Sequence, residues 1–211
     1  DWLAREGILA EWSPDAQRDL ALALLQETHC EDKLAGILFL QEVLLPAGAV
    51  RCSRDLPRFA ALFQEGHVYD WNTCDWLCVK VLGPLAEQQG QACARSISAW
   101  RTADNLWQRR AAGVPFVNLA PDGEANFPGF TNMLLDTCAV TVQDPERLAQ
   151  TGTGWVLREL SIAEPVRVAD FVDRHVQSFS TEALKQAIAK LPQPEQARLR
   201  RRHKEIASRR R

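Results

Sequence analysis

Apolar residues recur along the chain at intervals of three and four, and the strict alternation of a half-buried strand is nearly absent. The pattern predicts an almost wholly helical, all-α protein. Four runs open on a capping or turn residue and then become apolar: DWNTCDWLCVKVLGPL from Asp70, DNLWQRRAAGVPFV from Asp104, TGTGWVLREL from Thr151 and STEALKQAIAKL from Ser180. Their starts lie about 30 to 45 residues apart, the period of helix-pair repeats. LPRFAALFQ, ACARSISAW, FTNMLLDTCAVTV and PVRVADFVDRHV supply the partner helices, and PDAQRDLALALLQE with KLAGILFLQEVLL completes the stack upstream. The expected architecture is a short right-handed solenoid of at least five antiparallel helix pairs, whose second helices line one curved surface.

Four side chains on those second helices do not fit a simple core. Taking 100° per residue from Trp71, Cys74, Leu77, Cys78, Val81 and Leu85 form one apolar stripe, while Trp71 and Asp75 fall together on its flank. Such a pair is either a core-edge aromatic beside a solvated acid or an indole and a carboxylate aimed at one ligand. In the next unit Arg110 lands in the middle of the apolar side formed by Leu106, Trp107, Val114 and Val117. A guanidinium there needs an acceptor, which can be an internal acid, water reached by snorkelling, or an anion such as a phosphate. Arg109 is off the stripe and is expected to be solvated. In the third unit Trp155 shares the side opposite Val156, Leu160 and Ala163 with Arg158 and Glu159, an exposed position suited to a contact surface or to packing on the neighbouring pair.

Charge changes the picture at one end. Residues 198–211 hold seven Arg and one Lys against Glu205, a net +7 that leaves −9 elsewhere in a chain of net −2. We therefore divide the chain into one helical repeat domain over residues 1–191 and a basic tail over 192–211, either a helix extension or disordered, suited to a polyanion or to a localisation signal. The six cysteines sit among apolar neighbours and read as reduced core thiols of a soluble intracellular protein. Zinc through His67, Cys74 and Cys78 lacks paired CxxC spacing, so no metal is expected. The apolar stretches stop short of the roughly 20 residues needed to span a bilayer, and no basic start with an apolar core marks a signal peptide. The chain opens on Asp1 rather than Met, which fits a trimmed fragment.

WNTCD (Trp71, Asp75), ADNLWQRRAA (Arg110) and GWVLRE (Trp155, Arg158) together make the sequence resemble the DNA alkylation repair glycosylases of the AlkD type, built from HEAT-like helix pairs of the ARM/HEAT superhelical class. Order and spacing agree over roughly residues 55 to 165. The resemblance implies hydrolysis of the N-glycosidic bond of N3- or N7-alkylated purines in double-stranded DNA by a monomer with no cofactor. The compartment would be the cytoplasm and nucleoid of a bacterium or the nucleus of a eukaryote. A cationic purine leaves as a neutral molecule without a general acid, so the site need only stabilise the oxocarbenium-like sugar and orient water. Asp75 would supply that charge, with the indole faces of Trp71 and Trp155 beside it as the rest of the catalytic set. Arg110 would hold a phosphate near the lesion, and Arg109 and Arg158 would add DNA contacts. This scheme expects the four groups to converge on one concave surface, with Asp75 free of any internal cationic partner. Two competitors stand against it: a damaged- or branched-DNA-binding repeat protein without catalysis, and a protein-binding scaffold of the same fold.

Overall fold

The computed structural model describes Leu9 and residues 11–209. Residues 1–8, 10, 210 and 211, which carry both ends of the expected domain-and-tail division, lie outside the described residues. The helices are α1 (Pro14–Gln26), α2 (Cys30–Phe39), α3 (Cys52–Gln64), α4 (Trp71–Leu77), α5 (Gly83–Ser98), α6 (Leu106–Arg110), α7 (Phe130–Thr141), α8 (Arg147–Leu160), α9 (Pro165–His175), α10 (Thr181–Ala187) and α11 (Gln193–Arg209). Among the described residues there is no strand, so the protein is all-α. None of these helices is long and apolar enough to cross a membrane.

Two rows of helices enclose the core. The even-numbered helices form one row, with α2 against α4, α6 against α8 and α8 against α10. In the other row α3 packs on α5 and α5 on α7. The stripe expected on α4 and its continuation, Cys74, Leu77, Cys78, Val81 and Leu85, is wholly buried. A π-turn at Cys78–Leu82 joins α4 to α5, and the run ends at Gly90, whose φ of 73° no side-chain-bearing residue adopts cheaply.

Caps explain where the helices start. Asp70 and Ser180 accept backbone N–H bonds from Thr73 and Ala183, as the sequence suggests. Asp104 is not a cap; Asn105 beside it accepts from the N–H groups of Trp107 and Gln108 while its amide donates to the Phe63 carbonyl. The third expected start at Thr151 is also displaced. Asp144 accepts from the N–H of Glu146 and fixes the turn, so α8 begins a full turn earlier at Arg147.

Two further expectations change. Cys52 and Cys93 are joined as a disulfide between α3 and α5 rather than held as thiols; packing sets their Cα atoms 5.7 Å apart, inside the range a disulfide spans. Cys74, Cys78 and Cys138 are free and buried, and Cys30 is free and exposed. The described part of the basic tail is helix, because Leu199 and Gln196 on its inner side are buried and His203 bonds the Phe179 carbonyl.

Gly154 in the middle of α8 is dictated by close approach. A Cβ there would lie 2.7 Å from the carbonyl oxygen of Ala183 in α10. Gly154→Ala should therefore lower stability by about 1–3 kcal/mol despite the roughly 0.5–1 kcal/mol gain in helix propensity. A raised thermal midpoint would show that α8 and α10 can separate freely.

Candidate functional site

Trp71, Arg110, Trp155 and Arg158 meet around one cavity of about 390 Å³ between the even-numbered helices. Its walls are Trp71 from α4, Arg110 from α6, Arg147, Leu148, Thr151, Trp155 and Arg158 from α8, and Glu182 and Gln186 from α10. Three guanidinium groups line it, and each has a carboxylate partner: Asp75 for Arg110, Glu182 for Arg147 and Glu159 for Arg158.

Arg110 is the centre of the arrangement. It is 7% exposed, and its buried head uses four of its five N–H groups inside the protein. Nε and Nη2 donate to the two oxygens of Asp75 at 2.7 and 2.8 Å, a fork-to-fork pair. Nη1 donates to the Leu148 carbonyl at 2.5 Å and to Thr151 Oγ1 at 3.3 Å. Burial pulls the guanidinium toward deprotonation, but the hydrogen bond and charge of Asp75 outweigh it and leave Arg110 more basic than usual. Gly152 makes the slot: a Cβ there would sit 3.1 Å from Nη1.

Asp75 is therefore paired, against the expectation of a free carboxylate. The reason is the position of Arg110 on an apolar face, where water cannot satisfy it and an internal acid must. Asp75 stands beside the cavity rather than in its wall, with 13% of its side chain accessible. Each of its oxygens accepts one bond from Arg110 and keeps a lone pair for another partner.

The two indoles differ. Trp71, the first residue of α4, is 60% exposed. Trp155 is half-buried against the core, less exposed than its place opposite the α8 stripe suggests, and Arg158 lies 6.0 Å from its ring centre. Arg158 also bonds Glu159, which Lys190 grips from the other side. Arg109 does not reach the cavity and is mostly buried rather than solvated, its side chain 20% accessible. Its guanidinium clasps Asp144 and donates to the carbonyls of Ala103 and Asp104.

Arg147 and Thr151 are wall residues that the sequence pattern does not bring forward. They fall eight and four positions before Trp155 and so share its helical face, a signal hidden by placing the start of α8 at Thr151. Arg147 is paired with Glu182 by two bonds of 2.7 and 2.8 Å at the cavity rim. Among the described residues no three His, Cys, Asp or Glu side chains converge as a metal site.

Arg110→Met should cost about 3 kcal/mol or more, because it strands the Asp75 carboxylate in a nearly dry place. Adding Asp75→Leu should recover a large part of that loss. A double-mutant cycle by thermal or denaturant unfolding reads the coupling directly, and additive losses would mean that the two groups do not support each other.

The chain matches the family model for DNA alkylation repair enzyme over residues 4–191 and belongs to that family. Comparison with curated proteins finds no match. Membership places the protein in DNA alkylation repair, with DNA as its substrate.

Proposed function

We propose that the protein is a DNA glycosylase that hydrolyses the N-glycosidic bond of cationic N3- or N7-alkylpurines in duplex DNA. One observation carries the reading: a carboxylate gripped through both oxygens by Arg110 beside an open cavity lined by two indoles and three guanidinium groups. The two rows of helices are read as HEAT-like pairs forming a single repeat domain over residues 1–191 that acts as a monomer, with the even-numbered row turned toward the duplex.

The chemistry follows from the charges. An alkylated purine is already a good leaving group, so the barrier lies in the positive charge that builds on the deoxyribose. Asp75 faces that charge with the lone pairs Arg110 leaves free, and the same oxygens orient water for attack at the anomeric carbon. Trp71 and Trp155 present π-faces to the electron-poor sugar and base. Arg110 acts as a positioning residue, fixing Asp75 in one rotamer. Its remaining N–H, with Arg158 and Arg147, is directed to the phosphates flanking the lesion.

Beyond the matched residues, α11 presents Arg200, Arg201 and Lys204 to solvent. We assign it a sequence-independent duplex contact that offsets the acidity of the rest of the chain. A second reading, a damaged-DNA binder without catalysis, is favoured by the pairing of Asp75, which lowers the field that the carboxylate can apply.

The experiment that separates the two is base release from methylated duplex DNA. Wild-type protein should release methylpurine well above the spontaneous background, and Asp75→Asn should lose roughly 100-fold to 1,000-fold in single-turnover rate with duplex affinity nearly unchanged. The variant is assayed below its own unfolding midpoint, since the amide also weakens the bond to Arg110. Equal rates, or no release by the wild type, sink the glycosylase reading and leave the binder. For the tail, replacing Arg200, Arg201 and Lys204 by Gln should reduce the slope of log K against log salt by about 0.9 for each phosphate that is no longer neutralised. An unaltered slope removes α11 from the interface.

A further inference from the structure

Tyr69, the sole tyrosine of the chain, is 58% exposed, and with Trp71 it is one of the two most exposed aromatic side chains among the described residues. The backbone sets the two side by side. Asp70 is extended, at φ −135° and ψ 159°, and successive side chains of an extended segment point to opposite sides. Val68 is fully buried, so Tyr69 and Trp71 project outward from either side of Asp70. The bond from the Thr73 N–H to the Asp70 carboxylate locks this step.

Tyr69 is also held from beneath. The ammonium of Lys33 in α2 lies 5.6 Å from the centre of its ring. Lys33 is buried, and its other donors go to the carbonyls of Leu25 at 3.1 Å and His67 at 2.6 Å. One ring face thus rests on a fixed cation while the rest of the ring meets solvent. The hydroxyl has no hydrogen-bond partner among the described residues. A large, oriented and half-bare ring loses little freedom when a second flat group covers it, which makes it a stacking surface ready for a ligand.

We propose that Tyr69, paired with Trp71, extends the cavity toward α2 as a stacking platform for a nucleobase that the lesion frees from the duplex stack. This rests on the reading of the cavity as a duplex-binding site. Stacking needs a π-face and no particular base edge, so the contact is indifferent to sequence and adds affinity without neutralising phosphate.

The test is fluorescence-anisotropy binding of two short labelled duplexes, one unmodified and one carrying a tetrahydrofuran abasic-site analogue that cannot be hydrolysed. Tyr69→Phe should bind both as the wild type does. Tyr69→Ala should bind the analogue duplex about tenfold more weakly, with an unchanged salt slope, as expected when one aromatic–base stack is removed. Tyr69→Leu, which keeps an apolar cover over Lys33, should be weakened alike if the flat ring is what matters. Circular dichroism of each variant checks that the fold is kept. Wild-type affinity in the Ala and Leu variants overturns the platform while leaving the cavity reading intact. So does a Phe variant as weak as Ala, which would mean a hydroxyl contact, or a reduced salt slope, which would mean that a charge was disturbed. A wild-type chain that binds neither duplex overturns the cavity reading and the platform with it.

Discussion

A guanidinium removed from water is the constraint around which this molecule is arranged. Arg110 projects from a five-residue helix into the space between α4 and α8, and every donor it turns inward has an acceptor waiting. Desolvating such a group costs several kcal/mol, and the cost is offset when charge and geometry are both matched. Asp75 matches the fork, and the end of the first turn of α8 matches the remaining nitrogen. The ion pair therefore fixes three neighbouring helices relative to one another, and the indoles of α4 and α8 inherit their positions from it.

The surroundings carry the marks of that demand. Gly152 leaves the slot through which the arginine passes, and Gly154, two residues on, lets α10 come close enough for Glu182 and Gln186 to complete the wall. Two glycines within one helix turn are costly by propensity alone, so packing must justify them. The consequence for chemistry is a carboxylate that cannot swing. It gives up part of its field to Arg110 and gains a defined direction, a trade that suits the proposed substrate, whose leaving group is already activated.

Much of this was legible in the sequence, and the omissions have physical causes. Helical periodicity identified the elements, and the stripe from Cys74 to Leu85 is buried as its spacing suggests, because a repeated pattern of three and four leaves a chain little alternative. The meeting of Trp71, Arg110 and Trp155 on one cavity agrees with the same geometry together with the family resemblance, whereas Asp75, the fourth group expected there, stands beside the wall and is paired with Arg110. What failed were partners brought together by tertiary packing. Asp75 and Arg110 stand 35 residues apart, Cys52 and Cys93 41 apart, and Arg109 finds Asp144 across a further 35. No local pattern announces such pairs. Arg147 was lost for a different reason: the turn before α8 is fixed by Asp144 accepting from the N–H of Glu146, not by a capping residue at the helix start.

The long-range character of the ion pair also sets how much of the chain the site requires. Its two members stand at residues 75 and 110, and the acceptors that complete the bonding of the arginine follow at 148 and 151. A chain that has reached only α6 already holds the acid and the arginine but lacks the carbonyl and hydroxyl of α8, so water takes their place at the guanidinium and the cavity has no second wall. The wall is complete only with α8 and α10 in place. The cavity is thus a property of the assembled row and of no shorter piece of it.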